Sequence, residues 1–347
     1  MDPGARPGGV AVVRAHRDGD HGGGGDGAGR RAVAVARRTS PPVTGPYVAG
    51  VDGGGTRTRV LVLARDGATA ARAEGPAALV RPDRPAPAAR VVADTVRRAA
   101  EAARAALPLP AVWAGLAGAG RASVRRALEA ALRKERIARA VRVGTDVEAA
   151  FHDAFGAGPG IVVVAGTGSV VLGAAEDGRR LQVGGWGGVM GDEGSGYHIG
   201  VSALRAVAAA TDRRGPPTAL TAAMLDSLGL DRPRHLPAWA ESATKADIAA
   251  LAPLAIHTAR SGDAPATAVV RRALDALGDQ LSAALRELVP SPSAHPSTVA
   301  LAGGLISPDG PLRADAERLV ASAGGHLLPR AVIPERGAAR LALTLLD

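Results

Sequence analysis

Cysteine is absent from this 347-residue chain. Disulfide bonds, thiolate nucleophiles, cysteine-ligated zinc and cysteine-ligated iron–sulfur clusters are therefore excluded. Aromatic residues make up only 2% of the chain, so a core has to be built from alanine, valine and leucine. The hydrophobic share of 46% is still large enough for a sizeable core, and the length suits two domains better than one.

Lysine is also scarce, because only Lys134 and Lys245 occur among 42 basic residues. The net charge of +9 is compatible with a nucleic-acid partner. Codon bias explains it better, since Ala, Gly, Pro and Arg all have GC-rich codons and the arginines lack the interleaved aromatics that stack on bases. The chain also lacks an apolar run of about 18 residues and a compact apolar signal core. We therefore expect a cytoplasmic protein with no membrane or nucleic-acid partner.

The first 46 residues differ in composition from the rest of the chain. Positions 21–29 consist mostly of glycine, and prolines follow at positions 41, 42 and 46. Such a segment buries too little apolar surface to offset its ordering entropy. We predict a disordered low-complexity tail at 1–46, an N-terminal lobe at 47–147 and a C-terminal lobe at 148–347.

Beyond the tail, apolar β-forming runs alternate with stretches of helical periodicity, which predicts an α/β fold. Asp66-Gly67 is a hairpin turn signal between two of the predicted strands. The predicted strands are 47–51, 59–63, 111–116, 141–144, 160–165, 170–174 and 298–302. The predicted helices are 88–106, 123–135, 147–155, 202–211, 218–228, 245–261 and 264–288.

Three apolar runs end in glycine-rich turns, and their order along the chain is the most informative feature of the sequence. They are Val-Ala-Gly-Val-Asp-Gly-Gly-Gly-Thr at 48–56, Ile-Val-Val-Val-Ala-Gly-Thr-Gly-Ser at 161–169 and Val-Ala-Leu-Ala-Gly-Gly-Leu at 299–305. A buried strand that breaks into glycines can direct backbone N–H groups at an anion. Each turn alone could be an ordinary turn, but together they predict a two-lobed, nucleotide-using phosphotransferase.

Each turn has a predicted role in binding the nucleotide. Asp52, at the end of the first strand, can hold Mg²⁺ through water, because Mg²⁺ keeps much of its hydration. The first turn is not a Walker loop, since the Gly-Lys-Ser/Thr ending is missing. The predicted nucleotide-binding residues are Gly53, Gly54, Gly55 and Thr56 in the first turn, Gly166, Thr167, Gly168 and Ser169 in the second, and Gly303 and Gly304 in the third.

Two further places suggest the chemistry of a sugar site. Asp146 follows a predicted strand and can act as a general base for a sugar hydroxyl, although an aspartate at a helix start also fits a helix N-cap. The stretch 184–196 places Trp186 among glycines, close to Asp192 and Glu193. A flat ring beside carboxylates suits a sugar, and the alternative is a rigid turn that Trp186 plugs.

These motifs together resemble the N-acetylglucosamine kinase group of the BadF/BadG/BcrA/BcrD ATPase family, in the actin–hexokinase superfamily. The resemblance covers the chain from Tyr47 onward. It implies two ribonuclease-H-like (actin-like ATPase) lobes that bind ATP, Mg²⁺ and a small amino sugar in the cleft between them. Dimers are common in the family, so the resemblance also suggests a homodimer.

The resemblance implies transfer of the γ-phosphate of ATP to the 6-hydroxyl of N-acetylglucosamine or a close relative. Asp146 matches the family's sugar-binding, proton-accepting aspartate. The residues at 53–56 and Thr167 match its phosphate contacts, and the turn at 303–304 matches its adenosine contact. The family's sugar contacts match Gly185, Trp186, Gly187 and Asp192.

The chain departs from the family pattern at two places. Ala77-Ala78-Leu79 stands where the family usually has an asparagine that binds sugar hydroxyls, and Arg121 stands near a position that is often acidic. Glucosamine and N-acetylmuramic acid therefore remain alternative substrates, and a non-catalytic nucleotide- or sugar-sensing protein remains an alternative function. A dehydratase-activating ATPase is set aside, because that role needs cysteine ligands for an iron–sulfur cluster.

Overall fold

The computed structural model describes residues 12–13, 46–288 and 297–346. These residues form two lobes, each built around one β-sheet of mixed strand direction. Apart from 12–13 and 46, the tail predicted at 1–46 lies outside the described residues. The predicted lobe boundary at 147/148 falls inside a helix that contacts both sheets, and the lobe limits stay a prediction.

The first sheet has six strands in the order β1-β4-β3-β2-β5-β6. Strands β2, β3 and β4 form an antiparallel meander, while β5 runs parallel to β2 and β6 runs parallel to β5. The strands are β1 Val12–Val13, β2 Tyr47–Gly53, β3 Arg57–Ala64, β4 Thr69–Pro76, β5 Leu109–Leu116 and β6 Ala138–Gly144.

The second sheet repeats this arrangement with five strands in the order β11-β10-β7-β8-β9. Strands β7, β8 and β9 form an antiparallel meander, and β10 runs parallel to β7. The strands are β7 Gly160–Ala165, β8 Ser169–Ala174, β9 Arg180–Gly184, β10 Thr298–Ala302 and β11 His326–Leu327.

Helices cover both faces of each sheet, with cores made mainly of alanine, valine and leucine. The helices are α1 Pro85–Ala102, α2 Ala122–Lys134, α3 Asp146–Phe155, α4 Gly196–Thr211, α5 Leu220–Leu228, α6 Leu236–Ser242, α7 Lys245–Ala249, α8 Ala252–Arg260, α9 Ala264–Leu288, α10 Arg313–Ser322 and α11 Pro334–Leu343, and a 3₁₀ turn spans Pro233–His235. Of the helices in these described ranges, none is both long and apolar enough to cross a membrane.

Two helices join the lobes. Helix α3 buries Ala149 against the first sheet, together with α11, and buries Phe151 against the second sheet. The buried carboxylate of Asp153 then ties α3 to the end of the chain, because it accepts hydrogen bonds from Arg336 Nε at 2.6 Å and from the backbone N–H of Ile333 at 2.9 Å. Helix α11 also packs on the first sheet, because Ala338, Ala339 and Ala342 are buried together with Val48 of β2.

The predicted helices differ from the observed ones where glycine or proline intervenes. The predicted helix 245–261 is two helices, because Pro253 at the start of α8 cannot donate a backbone hydrogen bond to continue α7. Helix α4 begins at Gly196, six residues before the predicted start, since glycine has a low helix propensity. A Cβ on Gly200 would lie 2.1 Å from the carbonyl oxygen of Ile248, so glycine lets α4 and α7 approach closely.

Candidate active site

The first glycine turn joins β2 to β3 at the edge of the first sheet. The N–H of Gly54 donates to the carbonyl oxygen of Arg57 at 3.0 Å and closes the turn. A Cβ on Gly53 would lie 2.4 Å from a methyl carbon of Leu116 on the neighbouring strand. The turn is therefore tight.

The second turn joins β7 to β8 in the other lobe, and the start of α4 supports it. The N–H of Gly196 donates to the carbonyl oxygen of Gly166 at 2.8 Å, and the Ser169 hydroxyl donates to the carbonyl oxygen of Glu193 at 2.6 Å. The predicted phosphate-binding serine is thus 97% buried and already bonded to the protein. Its side chain braces the turn in this structure, and a nucleotide contact by Ser169 stays a prediction.

The two turns meet across the cleft. The Oγ1 atoms of Thr56 and Thr167 lie 3.4 Å apart, and a Cβ on Gly55 would come within 3.2 Å of Thr167. Both hydroxyls can donate to phosphate oxygens. The structure therefore brings together the residues that the sequence assigns to the phosphate chain.

The third turn adjoins the second, because β10 runs parallel to β7 and both strands end at the same edge. Gly303 has φ of 92°, and a Cβ there would lie 2.4 Å from the carbonyl oxygen of Ala165. The N–H of Gly304 lies 3.6 Å from the position of a Cβ on Gly166. The predicted nucleoside turn is thus next to the predicted phosphate turn.

Asp146 lies at the first position of α3, and Thr145 is the helix N-cap. The Thr145 hydroxyl accepts from the N–H of Glu148 at 3.1 Å, and the Glu148 carboxylate accepts from the N–H of Thr145 at 2.7 Å. The N-cap alternative for Asp146 is therefore wrong. Thr145, and not Asp146, is the N-cap of α3.

Burial raises the pKa of Asp146 above 3.8, although the N–H groups of Val147 and Asp146 and the charge of Lys245 oppose the rise. A carboxylate with a raised pKa is a stronger base than an ordinary one. In this position it can accept a proton from a hydroxyl group held in the cleft.

Asp52 lies at the end of β2, and Arg59 donates to its carboxylate at 3.4 Å. Burial, followed by the charges of Glu335 and Asp146, raises the pKa of Asp52 to about 7. A divalent cation would relieve this repulsion between carboxylates, so the residues fit the predicted Mg²⁺ site. Nowhere in the described chain do three His, Cys, Asp or Glu side chains group closely enough to hold a metal directly.

The loop between β9 and α4 carries the predicted sugar contacts. Gly185 and Gly187 have φ of 73° and 87°, and Trp186 is 72% exposed. The alternative of Trp186 as a buried plug is therefore wrong. The ring is available to a ligand, and its contact with a sugar stays a prediction.

Asp192, the fourth predicted sugar contact, lies elsewhere in the same loop. Its side chain is only 5% exposed and forms an ion pair with Lys245, and its other oxygen accepts from the N–H of Ser169 at 3.3 Å. Its backbone is left-handed, with φ of 62°, which is costly for a non-glycine residue. In this structure Asp192 supports the second turn, and a sugar contact stays a prediction.

Lys245 and Glu335 are not among the site residues predicted from the sequence, yet both lie close to residues that are. Lys245 starts α7, and its ammonium lies 5.7 Å from the centre of the Tyr197 ring. Its rarity in an arginine-rich chain was a signal that could have identified it. Glu335 is 95% buried at the start of α11, and no local pattern relates it to Asp52.

The segment 77–79, which lacks the family's asparagine, lies beside the first turn. Ala78 is buried and its Cβ lies 3.5 Å from the position of a Cβ on Gly53, whereas Leu79 is 43% exposed. Neither side chain can replace the hydrogen bonds of an asparagine. The first turn is packed without it.

Comparison with known proteins agrees with this arrangement. A family model described as the BadF/BadG/BcrA/BcrD ATPase family matches residues 49–339. The N-acetylmuramic acid/N-acetylglucosamine kinase of Clostridium acetobutylicum is 29% identical over 266 residues, which cover 75% of this chain and 86% of that enzyme. The N-acetyl-D-glucosamine kinase of Dictyostelium discoideum is 37% identical over 132 residues, which cover 37% of this chain and 41% of that enzyme.

A solved structure from Chromobacterium violaceum, provisionally described as an N-acetylglucosamine kinase, has the same fold. Its TM-score is 0.70 at 31% sequence identity, and the match covers 87% of this chain and 99% of that one. The predicted α/β fold with two actin-like ATPase lobes is thus confirmed.

Proposed function

The chain belongs to the BadF/BadG/BcrA/BcrD ATPase family, and on that premise we propose that it is an ATP-dependent amino-sugar kinase. The observation that carries this proposal is the meeting of the two glycine turns at Thr56 and Thr167. Asp146 lies near the first turn, since its charge raises the pKa of Asp52. The related kinases act on N-acetylglucosamine and N-acetylmuramic acid, as their names state.

In the proposed reaction, a sugar hydroxyl attacks the γ-phosphorus of ATP. The new O–P bond forms as the bond from phosphorus to the β-phosphate bridging oxygen breaks, so ADP leaves with that electron pair. Asp146 accepts the hydroxyl proton. Most of the catalysis in such transfers comes from positioning and charge stabilisation, which the backbone N–H groups and hydroxyls of the two turns provide.

Asp52 would hold Mg²⁺ through water. When bound, Mg²⁺ neutralises charge on the phosphate oxygens. The turn at Gly303 would hold the adenosine. Closure of the two lobes would exclude water that otherwise accepts the phosphate.

The favoured acceptor is the 6-hydroxyl of N-acetylglucosamine, with glucosamine and N-acetylmuramic acid as alternatives. The exposed ring of Trp186 supports a sugar, and the loss of the family's asparagine at 77–79 leaves the choice among amino sugars open. A cytoplasmic location and a homodimer belong to the same proposal, and light scattering in solution would test the dimer.

The deciding experiment measures ADP release from Mg²⁺-ATP against N-acetylglucosamine, glucosamine, N-acetylmuramic acid, N-acetylmannosamine and glucose. We expect turnover on one amino sugar, a phosphate on its 6-position by NMR, and collapse of turnover in Asp146→Asn. Sugar binding without turnover would instead favour a sensing protein. Equal turnover in Asp146→Asn would remove Asp146 as the base.

A further inference from the structure

We propose that Lys245 contacts the terminal phosphoryl group of the bound nucleotide, and that Asp192 holds the lysine in position to do so. This role rests on the kinase function proposed above. Lys245 places a positive charge beside the second turn, whose backbone N–H groups and hydroxyls carry no net charge.

The backbone of Lys245 is fixed at the start of α7. Thr244 caps this helix, since its hydroxyl accepts from the N–H of Asp247 at 3.2 Å and its own N–H donates to the Asp247 carboxylate at 2.8 Å. The close approach of α7 to Gly200 anchors the helix against α4. The lysine side chain therefore extends from a rigid base.

The ammonium of Lys245 lies against the second turn. Its Nζ is 3.4 Å from the position that a Cβ on Gly168 would occupy, and Asp192 Oδ1 is 2.8 Å from the same position. It also lies over the Tyr197 ring, within the range of a cation–π contact. Three neighbours thus direct one positive charge to the surface where the phosphates are expected.

The pairing with Asp192 leaves the lysine capacity to bind a ligand. An ammonium has three N–H donors, and the hydrogen bond to Asp192 uses one of them. The side chain of Lys245 is 42% exposed, whereas that of its partner is 5% exposed. Because Asp192 is buried and fixed by the N–H of Ser169, it can orient the lysine without competing for the nucleotide.

Lys245 also acts on the predicted base from across the cleft. Its charge lowers the pKa of Asp146, against the effect of burial, so the ammonium is electrostatically close to that carboxylate. The reacting phosphorus has to pass between the second turn and Asp146. A compact ammonium there can offset charge on the phosphoryl oxygens, and Lys245 exchanges no proton in the step.

The first test compares Lys245→Met and Lys245→Gln with Lys134→Met, which removes the exposed lysine of α2. We expect kcat to fall about 100- to 1,000-fold in both Lys245 variants, with the KM for the sugar nearly unchanged. The thermal midpoint should also fall, because the buried Asp192 carboxylate loses its ion pair. Lys245→Arg should recover part of the rate, and Lys134→Met should match the wild type. Lys245 variants that retain wild-type kcat would overturn the proposal.

A double variant separates phosphate contact from simple neutralisation of Asp192. If Lys245 only neutralises that buried carboxylate, Asp192→Asn combined with Lys245→Met removes both charges and should restore the rate. We expect no recovery, because the phosphoryl group would still lack its cation. Full recovery would overturn the proposal.

A binding measurement without sugar keeps this role distinct from the kinase function. With Mg²⁺ present, calorimetry compares the affinities for ADP and for AMPPNP, which carries a terminal phosphate. We expect Lys245→Met to weaken the binding of AMPPNP at least about tenfold more than the binding of ADP. If Lys245→Met weakens the binding of both nucleotides equally, or of neither, the role of Lys245 is overturned even if the wild type phosphorylates sugars. The expected result would support that role even if no sugar is turned over.

Discussion

At the scale of single residues, buried carboxylates and the cations beside them set the charge of the candidate site. Asp52 lies beside Arg59, and Asp146 lies within the electrostatic reach of Lys245. Burial raises the pKa of both carboxylates, and the cations only partly reverse the rise. The charge on the site therefore changes with pH above the ordinary range for a carboxylate.

The pH dependence of catalysis should reveal Asp146. The base works only when ionised, so kcat/KM should fall as the pH drops through its raised pKa, with a midpoint above the ordinary value of 3.8. Steady-state rates across the acid range, at several Mg²⁺ concentrations, would measure it. A limb that moves with Mg²⁺ would belong to Asp52 instead, and a midpoint near 3.8 would contradict the assignment.

Asp52→Asn should stabilise the ligand-free protein at neutral and alkaline pH. A carboxyl whose pKa rises from 3.8 to about 7 on folding costs stability once the pH exceeds its unfolded value. The cost grows as pH rises and levels off above the folded pKa. We expect the variant to be more stable at pH 8 by about 2 to 4 kcal/mol, with little difference at pH 4.

Urea unfolding without Mg²⁺ at pH 4, 6 and 8 would measure this effect. The same variant should bind Mg²⁺-ATP more weakly, since it loses the group proposed to hold the metal. A stability difference that stays constant with pH would show that the ionisation of Asp52 is not its cause.

At the scale of elements, the C-terminal helix α11 links the end of the chain to the first phosphate turn. A Cβ on Gly50, in the middle of β2, would lie 2.0 Å from the backbone nitrogen of Ala339 and 2.2 Å from the carbonyl oxygen of Glu335. The helix backbone thus lies directly on the strand that carries Asp52. This close packing brings Glu335 near the cleft.

Gly50→Ala should push α11 off the sheet and destabilise the fold by about 3 kcal/mol or more, because the clash is with backbone that cannot move alone. Gly120→Ala is the matched control, since a Cβ there meets nothing within 4 Å. Equilibrium unfolding of both variants would decide. Equal stability of the two would contradict the close packing of α11 on β2.

At the scale of the whole molecule, the site is divided between two lobes of the same design. Thr56 comes from one sheet and Thr167 from the other, and α3 packs on both sheets. A ligand that touches both turns favours one arrangement of the lobes. The sugar and nucleotide sites should therefore be energetically coupled.

We expect AMPPNP with Mg²⁺ to tighten sugar binding at least about fivefold, which is the lower range of coupling between sites. Calorimetric titration of the substrate sugar with and without the nucleotide would measure the factor. By linkage, the sugar should tighten AMPPNP binding by the same factor. Independent binding of the two ligands would contradict closure of the lobes around them.

The sequence alone determined the fold class, the order of the three glycine turns and the family. These features are local, because a strand, its terminal glycines and a hydroxyl residue such as Thr56 lie within a few positions of one another. The resemblance assigned the site residues from the same motifs. Two helix boundaries were predicted wrongly: the start of α4, which is at Gly196, and the break between α7 and α8, which Pro253 causes.

The tertiary structure decided which side chains meet in the cleft. It showed that Thr145, and not Asp146, caps α3 and that Asp192 is buried against the second turn. It also brought Lys245 close to Asp192 and Glu335 close to Asp52 from distant helices. Pairs so far apart in sequence leave no periodic signal. Their proximity follows from how the sheets and helices pack, and burial then sets their charge.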